Sequence, residues 1–283
     1  MLTVLKQSHE ADLAPPRLNG RVAADWLTQF VHDEIRSRRS VESAVIGLSG
    51  GIDSAVTAYL CARALGPKNV FAFRLPYATS SASSLVDAQS VADALGIDLR
   101  TIEITGAVDG YLQYEPDADA RRRGNVMART RMLVLFDQSA KLGGLPVGTG
   151  NKTERMLGYF TWHADDTPPI NPLGDLFKTQ VWELARYLGV PSALIDKAPS
   201  ADLEAGQTDE GDLGITYAKA DAILRVMLMG YSDAQLERRG FDPKEVTVVR
   251  RRVDSTHWKR HLPTTAMLSN TAINEFYLRP VDF

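Results

Sequence analysis

Residues 49–54 read Ser-Gly-Gly-Ile-Asp-Ser, two glycines and a carboxylate set between two hydroxyls. They follow the apolar run Val45-Ile46-Gly47-Leu48, which reads as a buried strand, and they lead into Ala55-Val56-Thr57-Ala58-Tyr59-Leu60, the start of a helix. A glycine turn between strand and helix gathers backbone N–H groups and the positive end of the helix dipole around one point, which suits a phosphate. The spacing is neither G-x-x-x-x-G-K-S/T, which would bring a lysine to the phosphates, nor G-x-G-x-x-G. Asp53 is the anomaly, an anion within a cradle for anions. A divalent cation between Asp53 and phosphate oxygens removes the conflict, because Mg2+ accepts hard oxygen ligands from both. The competing explanation is that Asp53 and Ser54 only cap the following helix.

A second loop, Gly148-Thr149-Gly150-Asn151-Lys152-Thr153-Glu154, follows the strand-like Leu145-Pro146-Val147-Gly148. At the carboxyl end of another strand it can face the first loop, so Glu154 offers a second carboxylate to a cation and Thr149 lies near a nucleotide. Asn151 and Glu154 also have the spacing of a capping box, and one side chain at a helix terminus is not expected to do both.

These loops need a scaffold, and the pattern supplies one. Strands are expected at 45–48, 69–75, 98–104 and 145–148. Helices are expected after Asn19, at 54–65, on the face Leu85, Ala88, Val91, Ala92 and Leu95, and at 125–141; residues 114–124 read as a mobile loop. Alternation of this kind predicts an α/β fold, a doubly wound parallel sheet with ligands at the strands' carboxyl ends. Beyond residue 150 it fades into a helical C-terminal extension, with helices at 178–188, 217–229, 232–238 and 243–258 and a loop-like acidic stretch at 200–214. The chain divides into an arm at 1–18, one domain at 19–261 and a tail at 262–283.

Composition limits the alternatives. With 283 residues, 44% of them hydrophobic, the chain can bury a large core, and its net charge of −3 gives no electrostatic reason for nucleic-acid or membrane binding. Nowhere is there a run of about 18 apolar residues, and no signal-like leader stands at the start, so a cytoplasmic protein is expected. The single cysteine, Cys61, excludes an intrachain disulfide and reads as a small core residue.

The segment Ser49 to Ser54 resembles the pyrophosphate loop of the N-type ATP pyrophosphatases. Further segments narrow the resemblance to NAD synthetases. They are Arg74-Leu75-Pro76-Tyr77, the helix Gly124 to Met132, the loop 148–154, Gly158-Tyr159-Phe160-Thr161, Asn171 to Gln180, and Lys197 to Leu203 continuing through Gly206 to Glu210 as far as Gly214. Their order is the family's, and they span most of residues 45–261. The resemblance implies ATP-dependent adenylation of the carboxylate of deamido-NAD, followed by displacement of AMP by ammonia, with ATP as co-substrate and Mg2+ as cofactor. A carboxylate would otherwise have to expel oxide, so positioning and charge neutralisation carry most of the rate.

By motif position, Gly47, Leu48, Ser49, Gly50, Gly51, Ile52, Asp53 and Ser54 would hold ATP, together with Arg74, Thr149, Lys178 and Ser200. Asp53 and Glu154 would bind the metal, and Asp53 and Lys178 would be the catalytic pair. Lys178 opens a helix, where a cation is unfavourable unless something else requires it. Arg129, Asp165, His257 and Lys259 are the expected deamido-NAD contacts. Here the chain departs from the family: Trp162 stands where a lysine is common, Pro169 where a carboxylate is common, and Trp258 separates His257 from Lys259. Asp165 or Asp166 is the candidate replacement.

Family members that use glutamine carry a long nitrilase-like domain with a nucleophilic cysteine, which the 44 residues before the first strand and Cys61 do not provide. Free ammonia is the simplest nitrogen source, with a separate glutaminase subunit as the alternative. The family implies a homodimer, with helices 125–141 and 178–188 open to either interface or core roles. Two other readings stand beside the main one: an amidating enzyme of the same fold acting on another carboxylic acid, and a non-catalytic nucleotide-binding subunit.

Overall fold

The computed structural model describes residues 13–200, 208–261, 265, 266 and 268. The rest of both expected terminal arms, and residues 201–207 of the Ser-Ala-Asp-Leu stretch, lie outside the described residues. Within the first arm, the Leu18 N–H donates to Glu183 at 2.6 Å, so this end of it is docked rather than loose.

Asn19 caps the first helix as expected, its side chain accepting from the Val22 N–H at the start of α1 (Gly20–His32). Strand β1 (Ser43–Gly47) feeds the glycine loop and α2 (Ile52–Leu65). Then come β2 (Val70–Arg74), α3 (Ala82–Leu95), β3 (Asp98–Thr101), α4 (Thr105–Leu112), α5 (Ala120–Leu142) and β4 (Gly144–Pro146). The strands form one parallel sheet in the order β3-β2-β1-β4, with Ala44 opposite Val70 and Leu145.

In β1, Ala44, Val45 and Ile46 are all buried, but they face opposite ways. Ala44 and Ile46 pack with α1, α2 and α3, whereas Val45 joins Phe73 and the inner faces of α4 and α5. The sheet is therefore covered on both faces, as its run of β-branched residues implied. Cys61 is fully buried in α2, and burial pushes its thiol up to about 12, so it is a core residue.

After β4 come α6 (Lys152–Leu157), α7 (Lys178–Leu188), α8 (Ser192–Ile195), α9 (Asp209–Leu213), α10 (Tyr217–Leu228), α11 (Asp233–Arg238) and α12 (Pro243–Ser255). Leu157, Leu213, Tyr217, Ile223 and Val249 form a second core within this helical extension. The buried face of α7, Val181, Leu184 and Ala185, packs in the main core.

Several expectations need correction: the strand expected at 98–104 ends at Thr101, ahead of α4, and the strand expected at 145–148 is Gly144–Pro146. Residues 120–124 belong to α5, because the Asp119 carboxylate accepts the Arg122 N–H and starts the helix ahead of the apolar pattern. The helix after the glycine loop starts at Ile52, earlier than Ser54, with Gly51 at the N-cap. Residues 209–213, read as loop, form α9 behind a Thr208 cap. The last long helix ends at Ser255 and the chain continues as a 3-10 turn, His257–Arg260.

The buried carboxylate of Asp221 joins three helices. It accepts from the Thr153 hydroxyl of α6 at 2.6 Å, and from the Thr179 N–H and hydroxyl of α7 at 2.8 and 2.7 Å. Asp221 lies on α10, and burial raises its pKa against the pull of these donors. Replacing it by Ala leaves buried donors without an acceptor, so Asp221→Ala should cost about 3 kcal/mol in urea unfolding.

Candidate functional site

β1 and β4 are neighbours, so the loops that follow them stand side by side. The first turns at Gly50, whose φ of +81° is open to glycine and strained for other residues; a Cβ there would also drive into the Ser84 carbonyl. The Ser54 hydroxyl donates to the Gly51 carbonyl at 2.9 Å and accepts from the Ser49 N–H at 3.2 Å, which locks the loop to the helix. Gly51 carries no side-chain cap, so the N-terminus of α2 offers its first N–H groups to an outside anion.

Asp53 does not cap the helix. Its Oδ2 accepts from the Lys178 ammonium at 2.5 Å and its Oδ1 from Asn151 Nδ2 at 2.9 Å. Glu154 reaches the same ammonium through Oε1 at 3.2 Å, while its Oε2 accepts the Asn151 N–H at 3.3 Å. The capping box is present, with Oε2 turned to the cap and Oε1 to the ammonium.

Lys178 is 2% exposed at the first position of α7. That helix terminus is held from outside: the Lys178 N–H donates to the Thr153 hydroxyl at 2.9 Å, and Asp221 takes the next N–H. Burial alone would strip the ammonium of its proton; Asp53 and Glu154 reverse this and raise its pKa. Glu154 is also raised, by burial first, with Lys178 opposing and Asp53 reinforcing. Asp53 is the lysine's nearer counter-charge, at 2.5 Å against 3.2 Å for Glu154.

Two carboxylates converging on one cation are a donor set for a hard divalent ion. Among the described residues no group of three or more His, Cys, Asp or Glu side chains forms a metal cage. The set thus fits an ion whose remaining ligands come from phosphate and water.

Thr149 lies half-buried in the second loop, which Asn171 braces by donating to the Gly150 carbonyl at 2.7 Å. Ser200 is exposed, next to Pro199, whose carbonyl accepts the Asp209 N–H at 2.9 Å. Arg74, at the end of β2, is engaged with the Thr101 hydroxyl and the Leu85 carbonyl, both at 3.0 Å, and braces the scaffold.

The expected acceptor residues gather on the loop after α6. Arg129 donates to the Trp162 carbonyl at 3.1 Å, Asp165 accepts the Thr161 N–H at 2.8 Å, and Lys259 donates to the Gly158 and Phe160 carbonyls at 2.8 and 2.5 Å. Desolvation around the Asp165 carboxyl pushes its pKa up, and the exposure of the residue tempers that push. Lys259 is half-buried, and desolvation lowers its pKa. His257 stays apart, exposed and bonded to the Asp254 carbonyl at 2.8 Å. The Trp162 ring meets Trp258 edge-on, with centroids 5.1 Å apart.

Several residues emerge only in three dimensions. Asn151 bridges the two loops through Asp53. Asp209 accepts from the hydroxyls of Tyr217 at 2.9 Å and Tyr159 at 3.2 Å, and burial raises its pKa despite Lys178. Asn151 was visible only as a cap, Tyr217 only as the start of an expected helix, and Asp209 only as part of a motif.

Comparison with protein families matches residues 23–263 to NAD synthase. This chain belongs to the NAD synthase family. Among its relatives, an NH3-dependent NAD+ synthetase from Trichlorobacter lovleyi is 47% identical over 91% of this chain and 94% of its own. One from Chlorobaculum parvum is 51% identical over 86% and 88%. Solved structures similar to this chain include an NH3-dependent NAD synthetase from Campylobacter jejuni in complex with nitrate, with TM-score 0.76 and 30% identity, covering 88% of this chain and 100% of the other. An NMN synthetase from Francisella tularensis gives TM-score 0.79 and 33% identity, covering 88% and 99%. The parallel α/β architecture expected for an NAD synthase is the one these structures share.

Because Gly50 has both a left-handed backbone and a carbonyl overhead, Gly50→Ala should lower stability by about 1–3 kcal/mol and weaken ATP binding. Gly51→Ala, at φ −92° with only the Ser49 hydroxyl near, should change both far less; urea unfolding and nucleotide titration of the two variants check this.

Proposed function

We propose that this protein joins ammonia to the nicotinate carboxyl group of deamido-NAD, with ATP cleaved to AMP and pyrophosphate. The observation that carries this reading is the meeting of Asp53, Glu154 and Lys178 beside a glycine loop at the carboxyl ends of adjacent strands. A carboxylate oxygen of the acceptor attacks the α-phosphorus and pyrophosphate leaves. The nitrogen of ammonia then attacks the acyl carbon, the bond to AMP breaks, and the excess proton is lost.

In this reaction the loop Gly47 to Ser54 grips the phosphates through N–H groups and hydroxyls. Asp53 and Glu154 hold Mg2+, which when bound neutralises phosphate charge. Lys178 supplies the remaining positive charge as pyrophosphate separates. Thr149 and Ser200 flank the nucleotide, and Arg74 keeps the strand end in place for it. Arg129, Asp165 and Lys259 face the acceptor once their present backbone partners are exchanged for it, and His257, on the same terminal turn as Lys259, is the fourth expected contact. Buried Cys61 is no nucleophile for glutamine, which favours free ammonia, with a separate glutaminase subunit as the other source.

The likeness to an NMN synthetase favours one second reading, amidation of the mononucleotide acid. Incubation with ATP, Mg2+, ammonium and either acid, analysed by chromatography, separates the two. Equal amounts of NAD, AMP and pyrophosphate are expected from the dinucleotide, falling at least 100-fold in Asp53→Ala. Preference for the mononucleotide would replace the acceptor, and absence of turnover with both would overturn the reading.

We further propose a homodimer. On α5 the inner positions Met127, Met132 and Leu135 are buried, while Leu133 and Phe136 on the outer side are 69% and 40% exposed. Leu133 and Phe136 are one helical turn apart, and adjacent apolar groups on a helix exterior favour association there. Leu133→Glu with Phe136→Glu should convert a dimer to a monomer in sedimentation, leaving the fold intact.

A further inference from the structure

The Lys178 ammonium lies where a cation shared by Asp53 and Glu154 would lie, in hydrogen-bonding contact with both. It cannot stay there once the two carboxylates hold a divalent ion. Its backbone is fixed by Thr153 and by α7, so only the side chain can move.

We propose that Asp209 is a positioning residue that receives the Lys178 ammonium when a divalent cation claims Asp53 and Glu154. The ammonium already lies over the Tyr217 ring, 5.1 Å from its centroid, and the hydroxyl at the far end of that ring donates to Asp209 at 2.9 Å. The aromatic face gives a cation a favourable surface between the two positions. Tyr159 adds a second hydroxyl to Asp209 at 3.2 Å, and the Asp209 N–H is tied to Pro199, so the receiving carboxylate is fixed in direction. Its field already acts on the lysine. Charge gives the same answer: Asp53, Glu154 and Asp209 together balance one lysine and one divalent ion, whereas the lysine alone leaves the centre negative. Without Asp209 the lysine would compete more strongly with the metal for Asp53 and Glu154.

The inference rests on the proposed reaction only for a cation at Asp53 and Glu154. The test is Mn2+ binding to the full chain, followed by electron paramagnetic resonance with a non-hydrolysable ATP analogue present. Asp209→Asn should weaken Mn2+ binding at least tenfold, and adding Lys178→Met to it should restore wild-type affinity or better. Unchanged affinity in Asp209→Asn, or no restoration in the double variant, overturns the proposal. If Asp209→Asn does not fold, Tyr217→Phe, with and without Lys178→Met, carries the same test with a smaller loss, about threefold. NAD formation is measured on the same samples. Wild type that binds Mn2+ as described but makes no NAD overturns the reaction alone; wild type that makes NAD while Asp209→Asn binds Mn2+ normally overturns only the lysine exchange.

Discussion

One buried ammonium sets the terms for the rest of this molecule. Lys178 sits at a helix start, out of water, where both its desolvation and the helix dipole oppose it. The carboxylates of Asp53 and Glu154 do most to make that position tolerable, and they come from the loops after two different strands. The pairing therefore works in both directions. It holds the lysine in the core, and it draws the glycine loop and the second loop into register with the extension that carries α7.

The surroundings are arranged to keep this contact exact. Asp221 and Thr153 hold the terminus of α7 from neighbouring helices, and the Asn151 side-chain amide ties the second loop to the Asp53 carboxylate. Against this rigid phosphate-facing half, the acceptor half is built differently. Arg129, Asp165 and Lys259 are engaged with the backbone of a single loop, and two tryptophans, Trp162 and Trp258, pack together beside it. Charged side chains that brace a loop through its backbone can give up those contacts to an incoming ligand.

How far the sequence disclosed this depends on what each residue's signal was. β1, the glycine loop and α2 were legible because a buried strand needs β-branched residues and a tight turn needs glycine, requirements that are local. Asp53, Glu154 and Lys178 were legible through motif resemblance, and their convergence follows from β4 lying against β1. Asp209, Tyr217 and Asp221 were not legible as site residues. A tyrosine at an apolar helix position looks like core, and a carboxylate within a helix looks like a solvated face, until packing shows what each one touches. The early start of α5 was hidden for a similar reason, since a capping aspartate and three arginines resemble a loop.

The parallel pairing of β1 with β4 also has a bearing on how the chain matures. The two strands are joined only after α2, β2, α3, β3, α4 and α5 have intervened, and the lysine comes later still. Contacts of such wide separation in sequence are late and slow to form. During synthesis the glycine loop and Asp53 are made well before their partners, so a nascent or partly folded chain has the cradle without the charges that complete it. A chain cut short before Lys178 therefore lacks the cation that Asp53 and Glu154 share.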